Sequence, residues 1–520
     1  MNKGIKFPKI LISGAIFVLC FASFALAFSA DWLKMNFMGV NIEQILFHLR
    51  FPLVSKSTPY IKDFCIEVLL PSVALAIFVI YIRKLWLKLA LSIVIFIACI
   101  YIVEDKFEIT AYLEQSKKVS DFYEKYYMPF DSANLADFTP TQNLIVIFAE
   151  SMESTFSSKN IPTNFANRAQ IGGGEKRLKQ KSSNQNHSKF KYSQEIWDND
   201  YSPFGELIPN LTNLALKNTN FSTTDTLGGV NQVAGTNWTI AGITSYLCGI
   251  PLNMPIYKND FTHEYFLDSA ICVSDILAQI GYKQAYFSNL DSKFSGMRYL
   301  MESHSVEVLD LPYFQSQNIV PNPLPKDMQG YWDIKDAELF KLAKNHLDSL
   351  GDSQPFALYI STIDTHSGSI FVDKEHCNEI GADYKGAVLC SDKIISDFVR
   401  FVQNSRFGAN TTIIILGDHL SMMVFVFPDN AKRFIYNAFI NPQFTQKPTI
   451  ALTKNRKLTH FDITPLILDS LGIRAESFGL GRNPLYGATL LESDFDIDSF
   501  NALLAQRNNL YDSFWEVKKR

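Results

Sequence analysis

Apolar and polar positions divide this chain into two regimes. Up to about residue 104 the apolar residues form long, nearly uncharged runs, and beyond it they form short runs separated by polar segments. Three of the long runs, about residues 11–30, 64–82 and 85–103, are each long enough for a helix to cross the roughly 30 Å hydrocarbon layer of a bilayer. Glu67 and Lys88 sit near the starts of the second and third runs, where a long side chain reaches the interface. Lys3, Lys6 and Lys9 precede the first run and Arg83-Lys84 joins the other two. Basic residues favour the cytoplasmic side, so the amino terminus and Arg83-Lys84 are expected inside and everything after Val103 outside. Lys34, Arg50, Lys56 and Lys62 in the intervening loop blur that bias. Ala25-Leu-Ala27 resembles a signal-peptide cleavage site, but the run is longer than a usual signal core and further spans follow, so an anchor is expected. Within residues 31–63, Ile42, Ile45, Leu46 and Leu49 predict an amphipathic helix at the interface, and Glu43, His48 and Arg50 argue against a fourth span.

Downstream the period changes. Residues 143–149, ending at Glu150, form a continuous apolar run of the kind found in buried parallel strands. Strand-like runs recur at residues 284–288, 355–364, 411–418 and 434–439. Helical patterns alternate with them at 272–280, 333–350, 384–404 and 461–471. Such alternation predicts an α/β fold, a mostly parallel sheet with helices on both faces, following an α-helical transmembrane region. The expected organisation is a membrane region over 1–104, a juxtamembrane linker helix lying near the membrane surface over 105–140, a catalytic domain over 141–491 and a helical tail over 492–520. Residues 167–193 are rich in Gly, Lys, Ser and Asn and poor in apolar residues, which predicts a flexible surface insertion.

At 520 residues more than one folding unit is expected, and a net charge of −4 argues against a nucleic-acid binder. Of seven cysteines, Cys20, Cys65 and Cys99 fall in the predicted spans. Cys248, Cys272, Cys377 and Cys390 fall in the exported part and permit two disulfides; 248–272 with 377–390 is the sequence-local pairing among three.

Candidate chemistry gathers at strand ends, where ligands sit in open α/β sheets. Glu150 ends one strand, Asp418-His419 ends another, and His366 follows a third in Asp364-Thr-His366. Two carboxylates and an imidazole suit a divalent cation such as Zn²⁺ or Mn²⁺. A fourth stretch runs from Gly235-Thr236-Asn-Trp238-Thr239 to Gly249-Ile-Pro251, with apolar residues at helical spacing and a Gly/Pro stop. This puts Thr236 at or near the first turn of a helix, where a hydroxyl is either an ordinary cap or an activated nucleophile.

These pieces, with the Phe461-Asp-Ile-Thr-Pro and Gly479-Leu-Gly-Arg482 segments, resemble the membrane-anchored phosphoglycerol and phosphoethanolamine transferases of the alkaline phosphatase/sulfatase superfamily. Gly-Thr-Asn-Trp-Thr-Ile-Ala-Gly and Gly-Leu-Gly-Arg look most like the periplasmic glucan phosphoglycerol transferases, and the lipoteichoic acid synthases share the wider pattern. The resemblance implies Glu150, Thr236, Asp418 and His419 as ligands of one Mn²⁺ or Zn²⁺. It implies Thr236 as nucleophile with Thr239 as the alternative hydroxyl, and His366 as a phosphate contact or leaving-group assistant. Arg298 and Trp332 are the expected substrate contacts. It further implies a phospholipid donor, phosphatidylglycerol or phosphatidylethanolamine, a glycan or lipid acceptor, and an inner-membrane protein with its catalytic domain outside. A sulfatase proper would carry Cys/Ser-x-Pro-x-Arg; Cys248-Gly-Ile-Pro251 has proline at the wrong offset and no arginine. A phosphatase, and a non-catalytic membrane sensor with a degenerate domain, are the other readings.

Overall fold

The computed structural model describes residues 6–36, 40–51, 58–136, 138–158, 206–254, 265–351, 354–427 and 431–518. The expected insertion at 167–193 lies outside them.

Three helices are long and apolar enough to cross a membrane, Leu11–Asn36, Ile61–Ile80 and Leu85–Phe107. Each runs past the carboxyl or amino end expected from its apolar run, because a helix continues through polar residues once its ladder is formed. The first belongs to helix α1 (Lys6–Asn36). The amphipathic helix between the first two spans forms as α2 (Ile42–Arg50), its start fixed by a reciprocal capping box between Asn41 and Gln44. Its most buried side chains are aromatic ones that the apolar pattern did not single out, Phe47 and, just past its end, Phe51.

The expected single linker helix is interrupted. Glu108 takes a left-handed backbone at φ 49°, and Ile109–Lys117 and Phe122–Tyr126 follow as separate helices. Phe122 and Tyr123 are buried in the core of the large domain, Phe122 edge-on to Phe500 and Tyr123 tilted against Tyr511, rather than lying at the membrane surface. The tail expected over 492–520 supplies those partners.

The large domain is built on a sheet of β1 (Asn143–Ala149), β2 (Lys283–Phe287), β3 (Glu307–Leu309), β4 (Phe356–Ser361), β5 (Thr411–Gly417) and β6 (Asn437–Ile440), in the order β3-β2-β4-β1-β5-β6. All pairings are parallel except β5 with β6. The central strand β1 is buried along its whole length. Side chains alternate across a strand, so Leu144, Val146 and Phe148 enter one core and Ile145, Ile147 and Ala149 the other. Helices Thr239–Cys248 and His460–Asp469 cover the first face; Asp336–Ser349 and Tyr384–Asn404 cover the second. The four downstream cysteines form Cys248–Cys272 and Cys377–Cys390, the sequence-local pairing.

Candidate active site

Because β1, β4 and β5 are parallel neighbours, their carboxyl ends share one edge of the sheet. That brings together Glu150 after β1, the 362–366 loop after β4 and Asp418-His419 after β5. Hydroxyls stitch the loops: Glu150 N–H donates to Thr362 Oγ1 (2.9 Å), and Thr365 Oγ1 donates to the Glu150 carbonyl (2.6 Å). Ser151, held left-handed at φ 54°, donates its N–H to Asp418 Oδ1 (2.7 Å) and its hydroxyl to Glu150 Oε1 (2.7 Å). One step further, Glu153 is fully buried, pairs with the Arg433 guanidinium, and accepts from Ser421 N–H at 2.9 Å.

Glu150, Asp418 and His419 converge as expected, all buried and with donor atoms within 4.8 Å of one another. His419 Nδ1 is committed to the Leu420 carbonyl (2.8 Å), so Nε2 faces Glu150 Oε1 and Asp418 Oδ2, each at 3.5 Å. Asp418 Oδ2 is buried without a hydrogen-bond partner. These separations are close to the roughly 3.3 Å edge of a tetrahedron of ligands set at about 2.0–2.1 Å from a Zn²⁺-sized ion. The charges fit the same occupant. Burial alone would raise Glu150, but His419 and then His366 hold it down to about 2. Burial and the Glu150 charge push Asp418 up to about 7. Burial would lower His419, yet Asp418 and Glu150 carry it up to about 10. The two buried carboxylates thus favour a positive charge beside them, and with His419 neutral the donor set fits a divalent cation.

Of the two threonines considered, Thr239 is the one whose hydroxyl meets this cluster from the cleft side. The expected helix start at Thr236 is displaced by one turn: Gly235 sits at φ 75° and Trp238 is fully extended at φ −154°, so the helix begins at Thr239. Thr239 Oγ1 donates to Glu150 Oε2 at 3.2 Å. Thr236 is buried and closes its own turn, donating its hydroxyl to the Val233 carbonyl (2.9 Å) and accepting from Val233 N–H (3.1 Å). Local periodicity marks the body of a helix well and its first residue poorly, and Thr236 and Thr239 are one turn apart.

A cleft opens on this cluster, lined by Glu150, Thr239, His366, Trp332, Phe294 and Asn289 among others. His366 Nδ1 is bracketed by Ser369 Oγ (2.9 Å) and the Ser367 carbonyl (3.0 Å), which directs its other ring nitrogen elsewhere. Trp332 lines the cleft as expected, its indole N–H on Ser369 Oγ (2.8 Å) and its ring edge-on to His366. Arg298 does not line it. Its guanidinium is bound to Asp310 and Glu302, each at 2.7 Å. Ser151, Thr362, Thr365 and Arg433 were missed by sequence reasoning. Ser151 alone carried a signal, as the residue beside a strand-end carboxylate.

Residues 142–473, well over half of the chain, match the family described as Sulfatase. The chain belongs to the sulfatase family. Within it, the segment is 30% identical over 334 residues to phosphoglycerol transferase I of Citrobacter koseri, covering 62% of this chain and 41% of that protein. Phosphoglycerol transferase I of Xanthomonas axonopodis pv. citri is 32% identical over 233 residues, covering 43% of this chain and 32% of that one. The chain thus spans less than half the length of these relatives. The lipooligosaccharide phosphoethanolamine transferase A of Neisseria meningitidis aligns over 93% of this chain and 87% of its own, at 13% identity and a TM-score of 0.49.

Proposed function

We propose that this sulfatase-family protein transfers a phosphoglycerol headgroup from phosphatidylglycerol to a hydroxyl of a cell-envelope glycan, with Thr239 as the nucleophile. The observation that carries the reading is Thr239 Oγ1 at 3.2 Å from Glu150 Oε2, in the first turn of a buried helix and in one cleft with His366. The likeness to proteins named phosphoglycerol transferase I supports the headgroup. Glu150, Asp418, His419 and Thr239 would hold one Mn²⁺ or Zn²⁺. Such an ion, when bound, makes the threonine hydroxyl acidic enough to act at neutral pH.

In the first half-reaction the Thr239 hydroxyl proton leaves to solvent and Oγ1 bonds to phosphorus as the bond from phosphorus to the diacylglycerol oxygen breaks. A protonated His366 supplies the proton that the departing oxygen needs. The second half runs in reverse: His366 takes the proton of the acceptor hydroxyl, whose oxygen displaces Thr239 and regenerates the enzyme. The N-terminal turn of the Thr239 helix points backbone N–H groups at the phosphoryl oxygens. An exported location is supported by the three apolar helices and the two disulfides, which persist in oxidising compartments. The donor then stays in the outer leaflet beside the anchor while the acceptor comes from the aqueous side.

The test is diacylglycerol release from phosphatidylglycerol and, separately, from phosphatidylethanolamine. Thr239→Ala is expected to lose release by at least a thousandfold, whereas Thr236→Ala keeps most turnover per folded molecule. Loss in Thr236→Ala with full activity in Thr239→Ala would overturn the assignment, and release from phosphatidylethanolamine alone would replace the headgroup.

A further inference from the structure

The large domain completes its core with residues that lie between two membrane spans. Phe47 and Phe51 are 0% and 1% exposed and belong to the same core as the Thr239–Cys248 helix. The Phe47 ring stands 6.3 Å from Trp238 and 6.3 Å from Phe266. The Phe51 ring stands 5.6 Å from Phe266 and 5.9 Å from Tyr299. These are ordinary distances for packed aromatic pairs. Two of the contacts bear directly on the cleft. Trp238 is the N-cap of the Thr239 helix through its extended backbone, and its ring packs on Phe47 immediately before that helix starts. Gly296 lies in the turn between Phe294 and Met297, both of which line the cleft. A Cβ at Gly296 would lie 3.2 Å from Phe51 Cγ and 3.4 Å from Phe47 Cζ, and its φ is 79°. The turn can rest on the two rings only because no side chain intervenes. At the far side of the cleft, the backbone oxygen of Asn36 at the end of α1 comes within 3.8 Å of the Cβ position of Gly368, two residues past His366.

From this we infer that Phe47 and Phe51 are positioning residues for the active site, setting the Thr239 helix start and the 294–297 turn from the membrane side. The inference rests on the reading of Thr239 as nucleophile. Its physical content is that part of the cleft wall leans on these rings in addition to the sheet and the helices that cover it. Trp238 packs on Phe47 and Gly296 on both rings, which are delivered by a capped helix lying in sequence between two candidate spans. A nucleophile displaced by about 1 Å loses roughly a hundredfold in rate, so loosening these rings lowers turnover beyond what lost core packing does to stability.

The experiment uses the full chain in detergent and in phosphatidylglycerol vesicles, with Phe47→Ala, Phe51→Ala, the double variant, and Phe47→Leu/Phe51→Leu as the conservative pair. Backbone hydrogen exchange is read alongside kinetics with a short-chain, water-soluble phosphatidylglycerol. The expected result is faster exchange confined to residues 235–242 and 294–299 with the Tyr384–Asn404 helix unchanged. With it, kcat should drop tenfold or more in the double Ala variant at a KM within threefold of wild type, and the Leu pair should recover most of it. Unchanged exchange in both segments overturns the docking. Faster exchange with wild-type kcat overturns the positioning role. If the wild-type protein releases no diacylglycerol from either donor, the proposed function has failed, and the exchange data still decide the docking. A fall of exchange protection throughout the domain would show a general core role and also overturn the proposal.

Discussion

Gly242→Ala is the sharpest test of how the helix and the strand end are held together. Gly242 lies in the second half-turn after Thr239 and packs straight onto the end of β5. An added Cβ would sit 2.0 Å from the Asp418 carbonyl oxygen and 2.9 Å from its carbon, where real contacts below 3.0 Å are essentially never seen. The obstacle is backbone, so no rotamer relieves it. Nor is Asp418 free to retreat, because its carbonyl accepts from His460 Nε2 at 2.9 Å and the neighbouring Gly417 carbonyl accepts from Tyr246 O–H at 2.8 Å. The helix must therefore withdraw by about 1 Å, taking Thr239 beyond hydrogen-bond reach of Glu150 from its present 3.2 Å. Overpacking of this kind costs about 1–3 kcal/mol, and the better helix propensity of Ala returns up to about 1 kcal/mol of it. Stability should fall by no more than about 3 kcal/mol while turnover falls roughly a hundredfold. Diacylglycerol release and thermal melting of the same preparation separate the two effects. Gly351→Ala is the control, since nothing lies within 4 Å of its Cβ position. A Gly242→Ala protein that turns over within twofold of wild type would refute the argument that this contact sets the nucleophile.

Two further outcomes follow from the same geometry. Arg433 neutralises the buried Glu153, donates to the Ser421 carbonyl at 2.6 Å and lies over the Phe427 ring at 3.9 Å. Arg433→Met should cost about 3–5 kcal/mol by stranding that carboxylate, and the double variant with Glu153→Gln should recover part of it in thermal melts; equal losses in both would contradict the charge argument. Asp392 is buried beneath the Pro209–Lys217 helix start, where burial pushes its carboxyl up from 3.8 to about 6 against hydrogen bonds from Leu211 and Asn210. The folded chain therefore holds a proton that the unfolded chain releases between about pH 4 and 6, so this group's contribution to stability falls as pH rises through that window. The melting temperature of Asp392→Asn relative to wild type should accordingly rise from pH 4 to pH 7, and a difference that stays flat would show that the carboxyl ionises normally.

Much of the site is already legible along the chain. Glu150, Asp418, His419 and His366 all stand at or just after the ends of continuous apolar runs, and a parallel sheet must collect such ends on one edge. The disulfide pairing also follows sequence proximity. What periodicity could not place is the first residue of the Thr239 helix. That start depends on a left-handed Gly235 and an extended Trp238, and Trp238 is held by rings from a different part of the chain. Arg298 illustrates the same limit: a cation near the cleft in sequence is committed to Asp310, which follows β3, a strand too short to show in the pattern.

The sequence by itself determined the long apolar helices, the alternating α/β domain and the cluster of Glu150, Asp418 and His419, because each is written in local hydrophobic period and in residue chemistry at strand ends. Only the tertiary structure decided which of two threonines faces the ligands. It alone showed that Phe122 and Tyr123 belong to the core, and that Phe47 and Phe51 join the same core as the Thr239 helix. These outcomes depend on contacts between segments hundreds of residues apart or in different layers, where packing, not local propensity, sets the lowest free energy.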